Sequence, residues 1–182
     1  MKMPKILQLK ITLLGSKPPI WRRILVEDSI TFHRLHNIIQ GVMGWDNYHL
    51  YEFKTDALSI LVPHPDYSDD FEDSKKISLD SIIREEGQKF GYIYDFGDNW
   101  KHLIVVEKIL EKGQKQKYPF CLAGERSCPP EDCGGIWGYE EFLEAINNPK
   151  HMEHEDMLEW IGGEFDSGRF DIDEINKSIQ GG

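Results

Sequence analysis

A chain of 182 residues with a hydrophobic fraction of 40% and an aromatic fraction of 12% is long enough for one domain with a real core. Its 32 acidic residues outnumber its 21 basic ones, and a formal net charge of −11 repels phosphate backbones and argues against nonspecific nucleic-acid binding. No apolar run approaches the length a bilayer needs, and Gln8 and Lys10 interrupt the N-terminal apolar stretch with no cleavage site after it, which argues against a membrane span or a signal peptide.

Ile6–Leu14 alternates, with Leu7, Leu9, Ile11 and Leu13 on one face, and reads as a half-buried strand. Gly15–Pro19 is a turn and Ile20–Val26 the returning strand, so the chain opens with a hairpin. Thr31 can cap a helix that runs to about Met43. Its apolar residues Phe32, Leu35, Ile38, Ile39 and Val42 fall on one stripe, and Gly44 stops it. Tyr48–Lys54 and Leu58–Val62 are short strand candidates. His64–Ser74 is acidic and reads as a mobile surface loop. Ser78–Glu86 reads as a short helix closed by Gly87. Phe90–Asp95 and Trp100–Leu110 form a second hairpin around Phe96–Asn99, and Glu111–Lys117 is a polar link.

Tyr118–Tyr139 holds all three cysteines, a Pro-Pro pair, a Gly-Gly pair, Glu131, Asp132 and Trp137. Pro removes amide donors and Gly raises the entropy cost of order, so this reads as one long shaped loop. Beyond it, Tyr139–Asn147, Pro149–Ile161 and Asp171–Ile179 carry apolar residues at helical spacing. Strands come mostly first and helices mostly last. The expected fold is therefore α+β: a mixed or antiparallel sheet built from hairpins, with C-terminal helices packed beside it. The whole chain, 1–182, reads as a single domain, sheet-rich over 1–117, with the cysteine loop and helical part at 118–182.

The segments PPIWRRILV, HNIIQGVMGWDNYHLYEF, YDFGDNWKHLIVVEKIL, CPPEDCGGIWGYEEFLEAI and EDMLEWIGGEFD occur in this order. Together they resemble the plasmid pRiA4b ORF-3-like family, also described as insertion-element passenger proteins, over roughly Ile6 to Ile179. The resemblance implies a setting in prokaryotic genomes, plasmids and mobile elements, and no defined biochemical activity. The chain departs from the family pattern at Tyr51, where relatives often place a second His two residues after His49. That departure counts against a metal site built on His49.

Cys121, Cys128 and Cys133 are separated by six and then four residues. They can supply thiolates to zinc only with a fourth ligand, for which His102 is a candidate together with Asp95 and Asp98. The competing account makes them small buried hydrophobes that anchor the loop to the core, and it is the one expected here. With an odd number of cysteines and no export signal, free thiols in a cytoplasmic protein are expected. Asp95 and His102 are also candidates for a carboxylate–imidazole pair that poises a general base. Trp45, Asp46, His49, Asp98, Trp100, Glu131, Asp132, Trp137 and Tyr139 are candidates for a recognition surface, because aromatic and polar residues concentrate there. Lys17, Arg22 and Arg23 form the one visible basic cluster. His151–Glu155 matches neither HExxH nor HxxEH, and no phosphate loop or nucleophile elbow is present. The reading is a binding or accessory module without cofactor, its expected partner a protein rather than nucleic acid or membrane. The alternative is a zinc-type enzyme of hydrolytic chemistry.

Overall fold

Alternation in Lys5–Leu13 (β1) sends Leu7, Leu9, Ile11 and Leu13 to one face of a sheet, where each is at most 2% exposed. The computed structural model describes residues 4–64, 70–113 and 116–181. Ile20–Glu27 (β2) returns antiparallel to β1, and Phe32–Met43 (α1) follows, capped by the Thr31 hydroxyl, which accepts from the Arg34 amide. Tyr51–Lys54 (β3), Ser59–Leu61 (β4) and Glu72–Asp73 (β5) are short. Leu79–Ile82 (α2) leads to the hairpin of Lys89–Tyr94 (β6) and Trp100–Glu111 (β7). Phe120–Glu125 (β8) precedes three helices, Gly135–Asn147 (α3), His154–Ile161 (α4) and Ile172–Gln180 (α5).

The strands form one sheet in the order β5-β4-β3-β6-β7-β1-β2-β8, antiparallel except where β4 meets β5. The apolar stripe of α1 covers one face, and Phe32, Leu35, Ile38, Ile39 and Val42 are all buried. Phe32 meets Phe53 and Phe90 edge-on at 5.2 and 5.9 Å, which ties α1 to β3 and β6. Helix α5 closes the β8 edge with a side chain. The Asn176 carboxamide accepts from the Cys121 amide at 2.7 Å and donates to its carbonyl at 3.0 Å, as a ninth strand would. No helix is long and apolar enough to cross a membrane among the described residues.

Several boundaries differ from the sequence reading. The cysteine segment is not one loop, because its first third is strand β8 and α3 begins already at Gly135. Residues 65–69 of the supposed mobile loop lie outside the described residues. Its C-terminal end is built in: Glu72–Asp73 pairs with β4, and Ser74 is fully buried. Helix α2 stops at Ile82 because Ile83 turns extended, well before Gly87. The basic cluster dissolves, since neighbouring strand residues point to opposite faces. Arg22 is 3% exposed inside the core, while Arg23 is bound bidentately by Glu107 on the other face, at 2.6 and 2.8 Å.

The early start of α3 depends on glycines. A Cβ on Gly135, whose φ is +70°, would collide with the Asp98 carbonyl, and one on Gly138 would collide with the Cys133 carbonyl. Both obstacles are backbone and cannot swing aside. Gly138→Ala is therefore expected to cost about 2 kcal/mol or more. Gly44→Ala, where φ is +84° but the space is open, should cost only about 1 kcal/mol. Urea unfolding of the two variants checks the order.

Candidate functional site

Three loops meet at one end of the sheet: residues 44–50 after α1, 95–99 between β6 and β7, and 126–134 between β8 and α3. Each is shaped by residues that accept the left-handed region. Asn47, Asp95, Asn99 and Asp132 have φ of 61°, 55°, 58° and 59°. Asn and Asp tolerate this conformation better than most residues, and backbone held there concentrates at binding and catalytic sites.

Trp45 anchors the first loop. Its indole N–H donates to the Pro129 carbonyl at 2.9 Å, and its ring stacks on Tyr94 at 5.1 Å. Beneath it lies a buried polar layer. Gln40 donates to the Tyr92 hydroxyl at 3.0 Å, Tyr92 bonds His36 Nδ1 at 2.8 Å, and His36 Nε2 bonds Asn47 Oδ1 at 2.7 Å. Burial lowers the His36 pKa to about 4, against the opposing Asn47 hydrogen bond. His36 also stacks flat on Tyr51 at 3.6 Å. The Tyr51 hydroxyl is committed to His33 and Ser74, each at 2.8 Å, so the residue two after His49 serves the core. The Tyr94 hydroxyl accepts from the Tyr48 amide and donates to Glu131, and burial together with Glu131 raises its pKa.

This scaffold brings together His49, Asp95 and Asp132. His49 Nε2 lies 2.9 Å from Asp132 Oδ1 and 3.7 Å from Asp95 Oδ2. One ligand atom from each residue falls in a group no more than 4.8 Å across, and this is the only such group of three His, Cys, Asp or Glu among the described residues. Bonds of 2.0–2.2 Å to a cation place its ligand atoms roughly 3–4 Å apart, so small side-chain movements suffice. Asp95 is the fixed member. Its other oxygen accepts from the Gly97 amide at 2.9 Å, and its backbone bonds Leu50 and Asn99. Asp132 is the open member, with its side chain 65% exposed. Around them, Glu131 accepts from the Asp46 amide at 2.7 Å and Asp98 from the Gly134 amide at 3.1 Å.

The sequence candidates separate accordingly. Asp46, His49, Asp98, Glu131 and Asp132 share this end of the sheet, and Trp137 is 79% exposed on the first turn of α3. Trp45, Trp100 and Tyr139 do not belong to a surface; at 6%, 0% and 5% exposure they are core. His102 does not pair with Asp95. It is buried, its Nδ1 lies 3.3 Å from the Tyr92 carbonyl, and burial lowers its pKa to about 4. The partner of Asp95 is His49.

The cysteines do not join a ligand group with His102. Cys121 and Cys128 are buried, and Cys128 sits between Arg22 and Met43. Burial pushes the Cys128 thiol up to about 11. Burial with the Asp98 and Asp132 carboxylates pushes Cys133 to about 12.

Residues 5–174 match a family described as "Plasmid pRiA4b ORF-3-like protein". An uncharacterized protein, y4hQ, of Sinorhizobium fredii (strain NBRC 101917 / NGR234) is 39% identical over 176 residues, which span 96% of this chain and 90% of that protein. The crystal structure of MM3350, a protein of unknown function from Methanosarcina mazei Go1, superposes with a TM-score of 0.87 at 39% identity. The match covers 95% of this chain and 98% of that one.

Proposed function

We propose that this chain, which belongs to the plasmid pRiA4b ORF-3-like family, is a binding module that holds one divalent cation at His49, Asp95 and Asp132. The observation that carries this reading is the convergence of His49 Nε2, Asp95 Oδ2 and Asp132 Oδ1 from three separate loops. One imidazole and two carboxylates suit Mn²⁺, Fe²⁺ or Zn²⁺ better than Ca²⁺, which prefers six to eight oxygens. Three protein ligands leave coordination positions for oxygen atoms of a bound partner or for water. Those open positions favour a second reading, metal-assisted hydrolysis, because catalytic metal sites keep a free position where structural ones are closed. Three free cysteines support a cytoplasmic setting. The accessory role beside plasmids and mobile elements rests on the sequence resemblance alone.

Saturating Mn²⁺ or Zn²⁺ should raise the melting temperature of chelator-treated protein, since a ligand at 100 times its Kd adds about 2.7 kcal/mol. Asp95→Asn keeps the oxygen that Gly97 bonds and tolerates the left-handed backbone, but removes the charge. It should melt normally without metal and lose most of the response. Equal stabilisation of the parent and Asp95→Asn would refute the assignment.

A further inference from the structure

Helices α3 and α4 leave a cleft between them that shares only Asp132, on its rim, with the cation site. Its volume is about 320 Å³, at the lower end of the roughly 300–1,000 Å³ typical of ligand pockets. The floor is apolar, with Phe142 and Ala145 at 3% and 1% exposure and Met157 beside them. Trp160 forms a wall, edge-on to Phe142 at 5.6 Å and 48% exposed. Asp132, Glu141 and Glu153 form the rim, and no Lys or Arg lines the cleft.

Glu141 and Glu153 bring no partner of their own. Neither side chain makes a hydrogen bond or ion pair with another described residue, so both are free to meet a ligand. A hydrophobic floor, a large exposed indole and unpaired carboxylates form a combination that water serves badly and an organic cation serves well.

We infer that this cleft receives an arginine side chain from a basic segment of a protein partner. A guanidinium is planar, weakly hydrated and able to stack on an indole while its N–H groups reach carboxylates at the rim. An ammonium would meet the same charges without matching the flat wall. A chain of net charge −11 attracts basic partners at long range, and this cleft supplies a specific contact at short range.

The test uses the full-length ¹⁵N-labelled protein in EDTA, with the blocked tripeptides Ac-Ala-Arg-Ala-NH₂, Ac-Ala-Lys-Ala-NH₂ and Ac-Ala-Gln-Ala-NH₂ as probes. The indole resonance of Trp160, assigned with Trp160→Phe, should shift with the arginine peptide and saturate with a Kd on the order of millimolar. The lysine peptide should bind several-fold more weakly, the glutamine peptide should leave the resonance in place, and added salt should weaken the response. Glu141→Gln/Glu153→Gln changes only exposed, unpartnered groups. It should keep the parent spectrum and lose most of the arginine response. Asp95→Asn should respond as the parent does, so failure of the cation reading leaves this one intact. An unmoved Trp160 resonance, an equal response to lysine or glutamine, or an unchanged double variant would each overturn the inference.

Discussion

Arg22→Ala is expected to lower stability by about 4 kcal/mol, a loss in the exceptional range for a single substitution. The Arg22 guanidinium is 3% exposed and donates to the carbonyls of Val42, Trp21, Glu125 and Arg126, at 2.8 to 3.0 Å, and to the Cys128 sulfur at 3.3 Å. The Phe170 ring and the Arg22 Cδ together leave no room for a side chain at Gly124, and the Arg22 charge lies 5.1 Å from the centre of that ring. Truncation takes a charged donor from four carbonyls, and a buried group left unsatisfied costs about 1–3 kcal/mol, less where water enters the vacancy. The positive charge also sits on a carbonyl of the last turn of α1, where a cation is favourable. Arg23→Ala is the internal control. Its ion pair with Glu107 is partly exposed and should be worth about 1 kcal/mol or less. Urea unfolding of both variants decides the matter, and a loss below about 1 kcal/mol for Arg22→Ala would show the carbonyls to be indifferent to it. Arg22 holds together the end of α1 and the start of the 126–134 loop, so its loss should also loosen Asp132.

Acid should unfold the protein well before its carboxylates protonate. His36 and His102 are both buried, and burial holds each folded pKa near 4 against about 6.5 for an exposed imidazole. Between those values the unfolded chain binds more protons than the fold. The stability they contribute is complete above pH 6.5 and lost as pH falls toward 4, by about 2 kcal/mol per imidazole between pH 7 and 5. Protonation of His36 would also deprive Tyr92 of its acceptor at Nδ1. Glu107, lowered to about 2 chiefly by its Arg23 hydrogen bond, adds a loss that falls between pH 4.5 and 2, below the range from pH 7 to 5. Measured from pH 7 to 5, the fall in unfolding free energy should be roughly halved in His102→Leu, which also removes the unpartnered Nε2. An identical slope in the variant would mean that His102 is not neutral in the fold.

The hairpins, the α1 stripe and the Thr31 and Gly44 caps were legible because they depend on local periodicity and backbone preference. The β8 edge was not, since Cys121 and Ala123 are held in a strand by β2 and by Asn176, some 100 and 55 residues away in sequence. Half of the candidate site was also legible. Asp95 stood out on its turn, but the choice of His102 as its imidazole rested on closeness in sequence, and strand pleat buries that side chain. His49 reaches Asp95 only because Trp45 and the His36–Asn47 bond fold the 44–50 loop over the β6–β7 turn. No spacing in the sequence reports that contact. Aromatic content likewise marked Trp45, Trp100 and Trp137 alike, although only Trp137 remains at the surface.

A crystal soaked in Mn²⁺ or Zn²⁺ and measured at the metal's absorption edge tests the cation site most directly. The site proposed here requires an anomalous peak bonded to His49 Nε2, Asp95 Oδ2 and Asp132 Oδ1 at about 2.0–2.2 Å, with solvent in the remaining positions. A peak at Cys121, Cys128 or Cys133 instead, or none between these three residues at saturating metal, would contradict it.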